Sequence, residues 1–439
     1  MKKLTTLIAI IAIFLFATGC EKFNPGEFGG HHGNQQDKLS AKIATDWYHL
    51  QLRILLERNS SLNGVYFGYI GIALYESVRN ADEKAKSLSG KLYQMPTMPS
   101  RERGKKYNWM VSANAAMAKI VKYYYTGLTP ANLTSIDSLE TTINDKLRMV
   151  CSNEVFTRSQ LYGQSIATAV YNWSLSDNFN PSNAGYIPPV FAGAWQPTPP
   201  AFANGIQPYL ATARPFIESN QSLKAPSFPI AYSETTGSDF YKMVKNVYDV
   251  SQALSTDQKN TAVFWVDQGN GIGYTPAGHD FSIVTQAIEK KGLGLLEAAE
   301  VYAKAGIAER DAVLVCFKSK YLYSLVRPVT YIRKFIDVNW LPFIVTPPHP
   351  EYPAAHAMVT GSVMEAAASV LGKQFSLTDK TYEFRGWPAR TYSSLFEAAE
   401  EAGISRLYGG IHYQNSIDIG LSMAKQIGST IGNLNLLDK

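Results

Sequence analysis

From Leu39 onward, apolar residues recur at three- and four-residue spacing with polar positions between them, the signature of helices that bury one face. The spacing predicts helices over Ala41–Glu57, Tyr66–Arg79, Asn108–Tyr125, Leu139–Asn153 and Thr157–Ser174. Few period-two runs compete with them. From Ser176 to about Ser227 the pattern dissolves into a stretch dense in Pro, Gly, Asn and aromatics, including Pro197-Thr198-Pro199-Pro200. A loop of that length is expected to cover a site or pack on a partner. Helical spacing resumes near Phe240, then over Gly292–Leu325, Ala355–Leu371, Ser393–Gly403 and Ile417–Asn433. There is no internal repeat and no glycine-rich phosphate loop.

Composition narrows the function classes. With 439 residues, 46% hydrophobic and 18% charged, the chain can bury a large core, which excludes a disordered or collagen-like protein. Its net charge of +5 is spread without a basic block, so nucleic acid is not expected as a partner.

The N-terminus stands apart. Lys2 and Lys3 precede an apolar run, Leu7 to Phe16, and then Ala17-Thr18-Gly19-Cys20. This reads as an export signal ending at a cysteine, and it resembles a lipoprotein signal in which Cys20 carries the lipid. The run is shorter than the roughly 20 residues of a spanning helix. Removing residues 1–19 from the 439 leaves 420 residues, and losing Lys2 and Lys3 takes the charge from +5 to +3. Residues 20–38, with Gly29-Gly30-His31-His32-Gly33, read as a flexible tether. The body, 39–439, is expected to be soluble and held at the bacterial cell envelope only by its lipid. Cys151 and Cys316 remain, either paired or both buried as thiols.

The chemical signal lies in the last third. Lys320-Tyr321-Leu322-Tyr323-Ser324-Leu325-Val326-Arg327-Pro328 places two cations seven residues apart, close to two helical turns, so both are expected on one helix face. Pro328 marks where that helix becomes hard to continue. Pro347-Pro348-His349-Pro350-Glu351-Tyr352-Pro353-Ala354-Ala355-His356 is a rigid approach delivering a histidine to a helix start. Ser405-Arg406-Leu407-Tyr408-Gly409-Gly410-Ile411-His412 adds a third cation and a second imidazole. Such a set suits a compact tetrahedral oxyanion: Arg and Lys neutralise its oxygens, helix-start N–H groups add donors, and the imidazoles bond the central atom or move a proton.

These segments resemble the shared site of vanadium-dependent haloperoxidases and type 2 phosphatidic acid phosphatases, K-x6-RP, PSGH and SR-x5-H, in order and spacing. Phe264-Trp265-Val266-Asp267 with Tyr274-Thr275-Pro276-Ala277-Gly278-His279 also resembles the haloperoxidase branch. The resemblance implies an all-α fold of two packed helix bundles in one large domain, with the site in 264–418 and vanadate as cofactor. It implies that His412 bonds the metal or, in a phosphatase, attacks phosphorus, and that His356 is the acid–base residue. Lys320, Arg327 and Arg406 would hold the equatorial oxygens, with Lys320 also polarising a bound peroxide and the backbone at Ala355 and Gly410 beside the cofactor. Asp267 would brace Arg406, and Phe317 and His349 would line the halide side. Phenylalanine at the place of His349 is typical of chloride-oxidising fungal enzymes, and histidine of bromide enzymes of algae.

Two departures qualify the match. Ala354-Ala355 stand where the pattern has Ser-Gly, removing a hydroxyl whose hydrogen bond to a charged group is worth about 1.5–3 kcal/mol. The aspartate often four residues past the last histidine is Ser416 here, and the nearest candidate to orient His412 is Asp418. The leading expectation is a haloperoxidase oxidising iodide or bromide with hydrogen peroxide. The alternatives are an acid phosphatase working through a phosphohistidine, and a catalytically silent oxyanion-binding lipoprotein. His279 and Asp280 read equally well as turn residues, and Tyr123-Tyr124-Tyr125 as core or groove aromatics.

Overall fold

A computed structural model of the protein describes residues 41–57, 64–268 and 273–437. The signal, Cys20, His31, His32 and the tether lie outside the described residues. Among the described residues, thirteen α-helices dominate: α1 Lys42–Glu57, α2 Gly64–Val78, α3 Trp109–Tyr124, α4 Pro130–Arg148, α5 Asn153–Ser174, α6 Asp239–Gln252, α7 Thr256–Phe264, α8 Pro276–Lys291, α9 Leu295–Tyr323, α10 Pro328–Phe335, α11 Ala355–Leu371, α12 Leu395–Tyr408 and α13 Gln414–Gly432. One antiparallel pair, β1 Leu377–Asp379 with β2 Arg390–Tyr392, completes the regular structure. The fold is the all-α bundle arrangement expected. The described residues all belong to one compact unit.

The 29-residue α9 is the axis of the molecule, buried on nearly every face and rich in alanine. One side packs on α2, which continues to α3 and α5; the other packs on α11 and α13, which carry α12. Backbones touch where α2 crosses α9. A Cβ at Gly71 would lie 2.5 Å from the Tyr302 carbonyl oxygen, and one at Gly306 would lie 2.6 Å from that of Phe67. Only glycine permits that approach.

Helix starts follow local chemistry. Thr129 caps α4 with Pro130 in its first turn, Ser152 caps α5, Ser255 and Gln258 form a capping box on α7, and Thr275 caps α8. Thr129-Pro130 begins α4 nine residues before its apolar spacing becomes regular. The long irregular segment after α5 packs against the end of α9: Trp195 N–H donates to the Ser324 carbonyl at 2.6 Å, and Val326 N–H to that of Gly193 at 2.9 Å. Among the described residues, no helix is long and apolar enough to cross a membrane.

Candidate active site

The first motif does not lie on one helix. α9 ends at Tyr323, its C-cap Ser324 takes a left-handed conformation with φ 44°, and Arg327 is the N-cap of α10. The expectation that Lys320 and Arg327 share a helix face is therefore corrected. Pro328 begins a helix instead of closing one, because its missing N–H is harmless in a first turn. The break folds the two cations toward each other through the Pro347–Pro353 approach.

Lys320 is fully buried, and its ammonium donates to the carbonyls of Pro350 at 3.0 Å, Glu351 at 2.9 Å and Pro353 at 2.6 Å. Three acceptors need three N–H bonds, which only the charged amine has. Burial nonetheless pulls its pKa down to about 7. Arg327, also buried, donates through Nε to the His349 carbonyl at 2.9 Å and through Nη1 to that of Ile411 at 2.8 Å. Its Nη1 also stands 3.2 Å from His412 Nε2.

His412 is oriented by a residue that the sequence reading overlooked. Its Nδ1 donates to Glu351 Oε1 at 2.8 Å; the same oxygen accepts from Tyr413 N–H at 2.9 Å, and Glu351 Oε2 accepts from Ser416 Oγ at 2.5 Å. Asp418 instead accepts from Gln414, so it is not the orienting acid. Ser416, at the place of the expected aspartate, holds the carboxylate that replaces it. With Nδ1 the donor, the lone pair of His412 sits on Nε2. Burial, and then Arg327 and Lys320, push its pKa well below the usual histidine value, so the ring stays neutral and basic only at Nε2.

His356 occupies the first turn of α11, whose N-cap, Ala354, makes no side-chain capping bond. The amides of Ala355 and His356, both half-buried, thus lack intrahelical acceptors at the helix start. His356 Nε2 is itself buried without a hydrogen-bond partner and lies 3.3 Å from Asp267 Oδ2. Burial, with Arg406 next, lowers its pKa to about 4. Arg406 is buried, with Nε on Ser405 Oγ at 2.9 Å and Nη2 on the Trp265 carbonyl. Among the described residues, no hydrogen bond or ion pair joins Asp267 to Arg406; the neighbouring serine and a backbone carbonyl hold the guanidinium, and Asp267 acts on it through its charge alone. Asp267, in a left-handed conformation with φ 46°, turns instead toward His279 and His356.

Phe317 and His349 do meet, with ring centres 5.3 Å apart. Ile206 N–H, from the long loop, donates to the Pro348 carbonyl at 3.0 Å, so that loop covers this side. Gly410, with φ 77°, gives its amide to the Leu407 carbonyl, so it shapes the turn before His412 without offering a free donor. A side chain there would press on Pro342 and Trp340 at 3.2 Å.

The donor set fits an oxyanion. The lone pair of His412 and the uncapped start of α11 border a cluster of three cations. His412, Tyr413 and Ser416 all donate to Glu351, which marks it as ionised. Lys320, Arg327 and Arg406 against Glu351 and Asp267 leave one positive charge. Among the described residues, no group of three His, Cys, Asp or Glu side chains could chelate a bare cation. Vanadate would suit the site, held through His412 Nε2 with its oxygens toward Arg327, Arg406 and the Ala355 amide.

A helical frame with an oxyanion cradle between two histidines defines a phosphatase-or-haloperoxidase class, and comparison with known proteins resolves the family. The model of the VCPO second helical-bundle domain matches residues 300–435. A crystal structure of a bacterial vanadium-dependent iodoperoxidase is similar at 30% identity, covering 91% of this chain and 98% of that chain, with a TM-score of 0.78. Crystal structures of a bacterial vanadium-dependent chloroperoxidase, holo and apo, share the fold at 17% identity, with TM-scores of 0.62 and 0.63; each covers 85% of this chain, and 91% and 92% of theirs. No curated protein sequence matches the chain. The chain belongs to the vanadium haloperoxidase superfamily.

Proposed function

We propose that this protein is a vanadate-dependent haloperoxidase that oxidises iodide or bromide with hydrogen peroxide. The observation that carries the reading is His412, its Nδ1 fixed on Glu351 and its Nε2 lone pair turned toward the cations. Vanadate bound there supplies a Lewis acid that activates peroxide toward halide without changing its oxidation state.

The chain's own groups supply the rest. Arg327 and Arg406 stabilise negative charge on the anion's oxygens from a water-poor site, where each interaction is stronger than in bulk. His356, neutral at pH 7 with its Nε2–H turned to Asp267, would take a proton from incoming hydrogen peroxide at Nδ1 and return it to the departing oxygen. Lys320 fixes the Pro350–Pro353 carbonyls and so sets where Glu351 and His356 stand. His349 against Phe317, where chloride enzymes carry a second phenylalanine, supports the softer halides, as does likeness to an iodoperoxidase.

Purified protein reconstituted with orthovanadate should form triiodide from iodide and peroxide, and should not do so without vanadate. Vanadate-inhibited hydrolysis of nitrophenyl phosphate, with no iodide oxidation, would instead make it a phosphatase. Neither activity would leave an oxyanion-binding protein. Export with lipid on Cys20 belongs to the same proposal; labelled palmitate should be incorporated by the wild-type chain and not by Cys20→Ala.

A further inference from the structure

Beyond the oxyanion cradle lies a line of buried ionisable groups centred on His279, which the sequence alone leaves open between a functional residue and a turn residue. His279, on the first turn of α8 and wholly buried, has Nδ1 2.9 Å from Asp267 Oδ1 and Nε2 2.9 Å from Asp379 Oδ2. Both ring nitrogens face carboxylates, so both must carry protons: a neutral ring would turn a lone pair on one of them. The indole of Trp265 stacks on the ring at 4.2 Å and covers it. Asp379 ends β1 and also accepts from Thr381 N–H at 2.8 Å, while Tyr382 donates to Asp267 Oδ1 at 2.7 Å. The remaining oxygen of Asp267 lacks a hydrogen-bond partner and faces His356 Nε2 at 3.3 Å.

We propose that His279, clamped between Asp267 and Asp379, is a positioning residue that neutralises Asp267 and so leaves His356 uncharged and able to accept a proton. The inference rests on the assignment of His356 as the acid–base group. An isolated Asp–His pair at 3.3 Å in a dry interior would settle as carboxylate and imidazolium, and the histidine would then be a poor base. A permanent imidazolium on the far side of Asp267 removes that driving force. Asp379 is needed because a lone buried imidazolium would lose its proton to burial.

The charges around the line agree in direction. Burial alone would lower the His279 pKa, but Asp267 and then Asp379 raise it to about 10. Asp267 is held well below the usual carboxylate range by His279 and His356, against its burial. His356 is lowered by burial, Arg406 and His279, and raised by Asp267. Asp280, next on α8, is pushed up to about 8 by burial and is uncharged at neutral pH, so it does not compete for His279.

The test uses vanadate-free full-length protein. Neutron diffraction near neutral pH should place a deuteron on each nitrogen of His279 and a single one on His356. A doubly deuterated His356, or a singly deuterated His279, would overturn the clamp. Histidine NMR titration should then show the His356 proton affinity at least about tenfold higher in His279→Gln, while in Asp267→Asn it does not rise. Opposite responses distinguish charge tuning from simple loss of packing; equal shifts of the same sign would overturn it. Should His279→Gln fail to fold, the neutron result decides alone. Neither readout involves turnover, so a clamp found in a protein that oxidises no halide would sink the haloperoxidase reading and spare this one.

Discussion

Glu351 shows how the basic face of His412 is made. Its carboxylate reaches His412 across 61 residues of sequence, closing the Pro-rich approach onto the turn after α12. A charged hydrogen bond of this kind is worth about 1.5–3 kcal/mol, and losing an orienting partner typically costs about 10–100-fold in metal affinity. Glu351→Gln should therefore weaken vanadate binding by about that factor in equilibrium dialysis while circular dichroism stays native. Unchanged affinity would remove Glu351 from its role. The five cluster residues were legible in the sequence because their order and spacing are local: Lys320 with Arg327, His356 after its prolines, Arg406 with His412. Glu351 was not, because the motif points to an orienting acid downstream of His412, whereas the fold brings it from upstream and assigns Ser416 to hold it. His279 stayed ambiguous in the sequence for a similar reason. Its two carboxylates come from the turn after α7 and from the end of β1, and nothing in Tyr274–His279 announces them.

At the level of elements, helix existence could be read but breaks could not. Periodicity located Ala355–Leu371 as observed, yet it ran Gly292–Leu325 toward Arg327 as one face, where the chain instead stops at Ser324 and restarts at Pro328. A left-handed serine leaves no mark in the hydrophobic pattern. The start of α11 offers a separable test of the Ala354 departure. Since Ala354 sits at an N-cap without a capping bond, Ala354→Ser should stabilise the vanadate-free protein by about 1 kcal/mol in urea unfolding. It should also slow loss of vanadium on dialysis. Stabilisation without better retention would mean that the serine hydroxyl caps the helix and does not reach the anion.

Across the whole molecule, the clamp couples stability to pH. The folded pKa of His279, about 10, lies above its ordinary 6.5, so the stabilisation it confers is complete below about pH 6.5 and is lost as pH rises toward 10. The difference in urea midpoint between wild type and His279→Gln should narrow from about pH 7 to about pH 10. A gap independent of pH would show that the imidazolium contributes packing alone. Cysteine pairing, left open by the sequence, is answered by position: Cys151 is a half-buried free thiol and Cys316 a buried one. Iodoacetamide should label Cys151 in the native protein and Cys316 only after unfolding.

The central claim is that His412 Nε2 anchors a single oxyanion. Equilibrium dialysis of purified protein against orthovanadate, followed by vanadium analysis, tests it without relying on any activity. One vanadate per wild-type chain and none in His412→Ala is the result predicted. Equal vanadium in the two proteins, or none in either, would contradict it.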